Sequence, residues 1–380
     1  MSAALPHLVV FADDWGRHPS SAQHLVRELL PRWNVDWINT VGTRRPSLSV
    51  ADAKKVAAKL ASWMKPAESG ATSESVALPE NLTVHSPMHW PGFGAGWERG
   101  LNARLFDRAL RPLIERAEAV VATAPIVADL AARVPDANWI YYCVDDLSEW
   151  PGLDAEALRA LEKDFLPRAK KIVAVSEHLR ARLKSMGFTS ELLTHGFEPS
   201  HWRSVTHRAA PEEGELPVAV FWGAIDRRLD VGIVEKLAEL CDLRLIGPEQ
   251  DPDPRVLSNP RVQRPGPVPY SELPRIASEA DVLVMPYADL PVTRAMQPLK
   301  LKEYLATGLP VVATSLPANI EWADALDLVD EPLAFARRVL ERAAAALPAS
   351  QARARERLRD ETWAAKAQQF ERWIRRSEPR

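Results

Sequence analysis

The chain has 380 residues, 46% of them hydrophobic, and a formal net charge of −3. That length suits two domains of about 150–200 residues each, and the nearly balanced charge argues against a strongly basic nucleic-acid binder, so no nucleic-acid partner is expected. The only cysteines, Cys143 and Cys241, supply neither a metal-ligand spacing nor a disulfide framework, as fits a reducing compartment. No apolar run reaches the roughly 18–20 residues of a membrane span. The opening MSAALPHLVVFADDWG has no basic segment ahead of a long apolar core, so no signal peptide is read. A soluble, cytoplasmic protein is the expectation.

Residues 8–12 read as a buried strand, ended by Asp13, Asp14, Trp15 and Gly16, and a helix runs from about 19 to 30. A second strand covers 34–41. Residues 51–65 place Ala53, Val56, Ala57, Leu60, Trp63 and Met64 on one face, with Lys54, Lys55, Lys59 and Lys65 largely elsewhere. Such an amphipathic helix either packs on a sheet or presents its face to a membrane surface. Residues 66–80 are polar and rich in Pro, Gly and Ser, a loop composition. The strand at 82–85 leads into SPMHWPGFGAGW, where Gly92, Gly94 and Gly96 loosely resemble a phosphate loop without forming a helix-opening G-x-G-x-x-G. Helices at 101–118, 126–132, 154–169 and 177–186 alternate with strands at 119–122, 139–144 and 171–175, and 192–197 closes the half. Residues 199–217 lack apolar periodicity and carry many breakers, so the linker is placed there.

The second half restarts with strands at 218–222, 243–246, from 262, at 282–285, 311–314 and 326–329, and helices at 231–240, 270–280 and 332–345. Its central stretch is QPLKLKEYLATGLPVVAT, 297–314. A helix-like run carries Lys300, Lys302, Glu303 and Tyr304; Gly308 and Pro310 stop it, and a buried-type strand follows. Two ammonium groups and a carboxylate at a helix start beside a strand suit the phosphates and hydroxyls of a nucleotide-linked substrate. Short apolar strands alternating with helices imply parallel sheets covered on both faces. The fold expected is α/β, two tandem doubly wound, Rossmann-like domains at 1–200 and 218–360, with a linker at 201–217 and a tail at 361–380. Ligands in such folds bind at the carboxyl ends of the strands, and the cleft where two such domains face each other is the expected site.

Polar clusters follow the strands. They are Asp13, Asp14, Trp15 and Arg17; His85, Met88, His89 and Trp90; Asp145, Asp146 and Glu149; His195 and Gly196; Gly223, Asp226, Arg227, Arg228 and Asp230; Gly247 and Pro248; and Pro286, Tyr287 and Asp289. Asp145 is the first candidate for a general base, because partial burial lifts a carboxylate toward working pH. On a purely structural reading, Asp145 or Asp146 caps the next helix. His195 either bonds a substrate phosphate or hydroxyl or is structural. Arg228, Lys300 and Lys302 either neutralise a diphosphate or are solvated helix-surface cations. Glu303 either accepts bonds from sugar hydroxyls or sits in a first helical turn where the dipole favours it. No His, Cys, Asp or Glu cluster has metal-ligand spacing, and neither G-x-S-x-G nor a Walker loop is present.

The segments DDWGRHPSSAQHL, VHSPMHWPG, YYCVDDLSEWPG, AVSEHLRARLKSMG, LLTHGFEPSHW, FWGAIDRRLD, LIGP and DVLVMPYAD, with PLKLKEYLATGLPVVAT, resemble the GT-B fold glycosyltransferases of group 1, family 4-like type. More narrowly they resemble the branch with teichuronic-acid and xanthan glucuronosyltransferase-like enzymes. The resemblance runs from about residue 8 to 320. It implies sugar transfer from a nucleotide sugar, UDP- or GDP-linked, to a glycan or lipid-linked acceptor in cell-surface polysaccharide or glycoconjugate synthesis, with no metal or other cofactor. The C-terminal domain would hold the nucleotide and the N-terminal domain the acceptor, with a tail helix at 361–376 crossing back. Lys300, Lys302 and Glu303 match the donor motif, with Gln297 beside them; Gly223 and Arg228 match the diphosphate-side loop. Asp145 matches the strand-end base of inverting relatives, and Asp13, Asp14, His89, Asp146 and His195 fall on the acceptor side. Retaining members usually carry E-x-x-x-x-x-x-x-E; Glu303 fits the second glutamate but Ala295 stands at the first. That favours inverting chemistry and leaves retention open. Also open are a nucleotide-sugar epimerase or other GT-B enzyme, a non-catalytic nucleotide-sugar-binding protein, and peripheral contact with the inner membrane face through 51–65 and the basic segment 168–184.

Overall fold

The computed structural model describes residues 4–16, 20–40, 78–150 and 153–375. The amphipathic segment 51–65, Arg17 and most of the loop at 66–80 lie outside the described residues. The chain divides into two compact units, Met1–Leu193 with Ala367–Arg380, and Thr194–Lys366.

The first unit is built on β1 (His7–Ala12), β2 (Asn34–Asn39), β3 (Leu82–His85), β4 (Ala119–Ala122), β5 (Trp139–Cys143), β6 (Lys171–Ala174) and β7 (Glu191–Leu192). They form one sheet in the order β3-β2-β1-β4-β5-β6-β7. All pairings are parallel, with Leu8 in register with both Val35 and Ala119. Every residue of β4 and β5 is buried, which is why these strands read as apolar runs without alternation. Helices α1 (Ser21–Leu29), α2 (Gly96–Arg116), α3 (Ala155–Phe165) and α4 (Glu177–Ser185) are among those that follow the strands. Ser20, Asp154 and Ser176 cap α1, α3 and α4 by accepting from the amides of Gln23, Ala157 and Leu179. Residues 367–375 complete this unit. Glu371 accepts from Arg32 Nη2 at 2.8 Å and from Trp33 Nε1 at 2.9 Å, and the Phe370 ring lies 5.4 Å from Tyr142.

The second unit holds β8 (Val218–Trp222), β9 (Asp242–Ile246), β10 (Val262–Gly266), β11 (Val282–Met285), β12 (Val311–Ala313) and β13 (Asp327–Leu328). Their order is β10-β9-β8-β11-β12-β13, again all parallel. Helices α5 (Val231–Leu240), α6 (Pro291–Ala295), α7 (Leu299–Ala306) and α8 (Pro332–Ala343) lie between or after these strands. The strand order reverses beside β1 in one sheet and beside β8 in the other, the switch points where open α/β sheets bind ligands. Both sheets have the doubly wound form expected from the sequence.

The division differs from the expected one. The stretch placed as a linker is packed into the second unit: the Trp202 ring stacks on Trp222 at 5.5 Å and 9°, His201 stacks on Tyr270 at 4.0 Å and 9°, and His207 Nε2 lies 3.0 Å from Thr307 O. Phe197 bridges to Thr362. Stacking of this kind leaves no periodic trace in the sequence, so the boundaries at 200 and 360 move to 193/194 and 366/367. The second falls inside α9 (Trp363–Ile374). Among the described residues, no helix is long and apolar enough to cross a membrane.

Candidate functional site

Parallel strands bring their carboxyl ends to one edge of the second sheet. Gly223 follows β8 with φ 143°, and Gly247 follows β9 with φ 148°, a region that side chains rarely tolerate. A Cβ at Gly247 would strike Gly223 O, and one at Gly223 would strike Lys300 Nζ. The two glycines therefore let the turns approach each other and let the Lys300 ammonium rest on the β8 turn. Lys300 lies in the first turn of α7. Its Nζ donates to Tyr287 Oη at 2.5 Å and sits over the Phe221 and Tyr287 rings, 4.5 and 5.1 Å from their centroids. The Arg228 guanidinium lies 5.8 Å from the same Tyr287 centroid and is held by Asp226 at 2.7 Å. Two cations thus flank one phenol at the ends of β8 and β11, a corner matched to a diphosphate.

Lys302 is placed differently. Side chains two apart on a helix point about 200° from each other. The Lys302 side chain is 3% exposed and pairs with Glu361; it also donates to Thr194 Oγ1 at 3.0 Å and to His195 O. Lys366 shares Glu361 at 2.7 Å. Burial lowers the Lys302 ammonium to about 8. Its cation is therefore engaged in an internal cluster rather than at the glycine turns where Lys300 lies. Glu303 is buried, accepting from Tyr270 Oη at 2.9 Å and from Trp222 Nε1 at 3.5 Å, and burial raises its carboxyl to about 7. Gln297 is 4% exposed, and neither end of its amide has a partner among the described residues. A buried amide left unmatched is rare enough to suggest a ligand that completes it. Ala295 ends α6 and is buried, so no carboxylate stands there.

In the first unit, Asp145 follows β5 and is half-buried, with Cys143 Sγ 3.7 Å from its carbonyl oxygen. Asp146 is the cap of the pair. It accepts from Ser148 N at 3.2 Å and Ser148 Oγ at 2.7 Å, with Arg182 Nε at 3.2 Å. At the end of β1, Asp13 accepts from Ser20 Oγ at 2.9 Å and Gln23 Nε2 at 3.1 Å, and the Asp14 carbonyl accepts from the same Gln23 amide at 3.3 Å. Asp13 and Asp145 share one edge of the sheet, on the strands either side of β4. His89 follows β3, buried beside Phe106 with Nδ1 3.0 Å from Pro87 O. The glycine stretch beyond it is closed on itself: Glu98 accepts from the amides of Gly94 and Ala95, and Asn102 donates to Gly92 O at 2.9 Å. Those amides are occupied, so this is no open phosphate loop.

His195 departs from its expected place. It groups with the second unit, buried with its ring 6.1 Å from Trp363, because the chain from Thr194 onward is tied to Glu361 and Lys302. Sequence reasoning missed Trp222 and Tyr270 as the partners of Glu303. They lie 81 and 33 residues from it, beyond any local pattern. Tyr287 was visible only as a strand-end residue.

Residues 218–344 match the family model described as Glycosyl transferases group 1, a span that contains both glycine turns and α7. A curated relative, the teichuronic acid biosynthesis glycosyltransferase TuaH of Bacillus subtilis, is 28% identical over 184 residues. That match takes in 43% of this chain and 45% of the relative, so it spans about half the length of that protein. Sucrose-phosphate synthase of Thermosynechococcus elongatus superposes with a TM-score of 0.70 at 16% identity, covering 97% of this chain and 98% of its own. The α,α-trehalose 6-phosphate synthase of Burkholderia multivorans gives 0.64 at 13% identity, covering 99% of each chain. HepE of Anabaena, in complex with UDP-glucose, gives 0.62 at 13% identity, covering 96% of this chain and 98% of its own. The fold is GT-B, and within the second unit residues 218–344 are similar to the group 1 glycosyltransferases. The group that the sequence motifs resemble is therefore the one whose model residues 218–344 match.

Proposed function

We propose that the chain is a metal-independent glycosyltransferase that moves a sugar from a UDP- or GDP-linked donor to a glycan or lipid-linked acceptor in cell-surface polysaccharide or glycoconjugate synthesis. The observation that carries this reading is the Lys300–Tyr287–Arg228 corner seated on Gly223, inside the group 1 domain. As the sugar–phosphate bond breaks, negative charge grows on the leaving diphosphate. Lys300, Arg228 and the amino end of α7 stabilise it, the work a metal ion does elsewhere. Gln297 and Glu303 take the ribose or sugar hydroxyls. The UDP-glucose bound by HepE supports a uridine donor, and the name of TuaH supports a cell-surface polymer as product.

The acceptor role falls to the first unit, through Asp13, Asp14 and His89. Asp145 takes the proton of the acceptor hydroxyl as its oxygen attacks the anomeric carbon, and the nucleoside diphosphate leaves from the opposite face. The anomeric configuration inverts. Asp145 is favoured over its neighbour because Asp146 is engaged as a cap, and inversion is favoured because Ala295 removes the first glutamate of the retaining pattern. The setting is cytoplasmic, at the inner membrane face when the acceptor is lipid-linked.

A thermal-shift panel of UDP, GDP, ADP and their sugars tests the donor reading, since a ligand that binds only the folded state raises its melting point. One nucleotide class should stabilise the protein; a flat response to all of them sinks the reading. Incubating that donor with acceptors, and assigning the product anomer by NMR, then separates the remaining possibilities. Epimerised donor without transfer product would make the chain an epimerase. Binding without turnover across the acceptor panel would make it a binding protein.

A further inference from the structure

Among the described residues ten large hydrophobic side chains are exposed, and four of them, Met88, Trp90, Trp97 and Leu101, fall within one short stretch of the first unit. Trp97 is 60% exposed and Met88 52%. The Trp90 and Trp97 rings lie 5.3 Å apart, so the loop before α2 and the first turn of α2 share one apolar surface. The helix carries that surface further. Its buried face is Asn102, Ala103, Phe106, Leu110 and Ile114, and on the opposite side of the helix Trp97, Leu101, Arg104 and Arg108 form an exposed stripe at the three- and four-residue spacing of one face. Scattered exposed hydrophobics need no explanation, but an indole pair with a leucine one helical turn beyond Trp97 does.

The charges on that stripe identify the occupant. Arg99 is taken up by Asp129 and Asp164, and Arg111 by Asp107. Arg104 and Arg108 have no hydrogen-bond or ion-pair partner among the described residues, and both are exposed. By contrast, the basic segment at 168–184 pairs Lys171 with Glu191, Arg180 with Glu177 and Arg182 with Glu162. We propose that α2 and the loop before it rest on an anionic lipid surface. The indoles and Leu101 enter the boundary between headgroups and acyl chains, where a ring with an apolar body and one polar tip is most stable, and Arg104 and Arg108 meet lipid phosphates. The residues of this surface belong to the first unit and those of the donor corner to the second, so vesicle binding and nucleotide binding are read by separate measurements and either can fail without the other.

The test is co-sedimentation of the full chain with phosphatidylglycerol–phosphatidylcholine vesicles and with vesicles of phosphatidylcholine alone. The wild type should bind the anionic vesicles and release them as salt is raised. W97A/L101A should weaken partitioning about tenfold or more, and R104E/R108E should abolish the preference for the anionic lipid, while melting points and nucleotide binding stay at wild-type values. Absence of binding by the wild type overturns the proposal, as does binding that neither double variant changes. Self-association in solution that W97A/L101A abolishes, measured by analytical ultracentrifugation without lipid, overturns it in favour of a second copy of this chain.

Discussion

Lys300 and Lys302 stand two positions apart on α7 and meet different chemistry. Lys300 reaches the glycine turn and Tyr287, whereas Lys302 is buried against Glu361 and Thr194. K300A should lower nucleoside diphosphate affinity by about 10–100-fold, the worth of one charge-assisted contact, with little change in unfolding. K302A should do the reverse, costing about 2–4 kcal/mol of stability by opening a buried ion cluster. Calorimetric titration and denaturant unfolding read the two effects separately, and a matched loss of affinity in both variants would contradict the division of roles. Glu303 titrates in the opposite sense from most carboxylates. Its folded value of about 7 lies above its ordinary 4.5, so the folded chain holds that proton more tightly than the unfolded one. The stability it contributes is complete below 4.5 and lost as the pH rises through about 7. E303Q stays neutral throughout, so its melting point should gain on wild type across that interval; parallel curves would place the titration elsewhere.

At the scale of elements, the proposed donor corner depends on two turns that favour glycine. G223A imposes a side chain at φ 143° and drives it into the Lys300 ammonium. It should lose donor affinity together with about 1–3 kcal/mol of stability, measured by titration and unfolding, whereas a variant that binds normally would show the turn to be tolerant. The elements themselves were largely legible. Apolar runs such as 119–122 and 282–285 became fully buried strands because each lies inside a parallel sheet. What failed was the stretch 199–217. Its breakers suggested a free connection, yet His201 and Trp202 stack on Tyr270 and Trp222. The glycine run at 92–96, which lacks a helix-opening G-x-G-x-x-G, is closed by Glu98 and Asn102.

For the whole molecule, the proposed reaction divides between the units: donor charges in one, a strand-end base in the other. D145N should reduce transfer by about 10²–10⁴-fold, the contribution typical of a positioned base, while nucleoside diphosphate binding remains at the wild-type level. A turnover assay beside a thermal-shift measurement reads both, and undiminished turnover would remove Asp145 from the mechanism. The sequence by itself determined the class: two α/β halves, the motif at 297–314, and the glycine and aspartate positions at strand ends. These follow from short-range rules of burial, helix stops and strand length. Only the tertiary structure decided which partner each charge meets. Whether a lysine on α7 faces an open turn or a buried glutamate depends on what packs opposite it, and Thr194, Glu361, Tyr270 and Tyr287 are brought there from distant parts of the chain. A local pattern fixes the face of a helix; the partner of that face is fixed by packing.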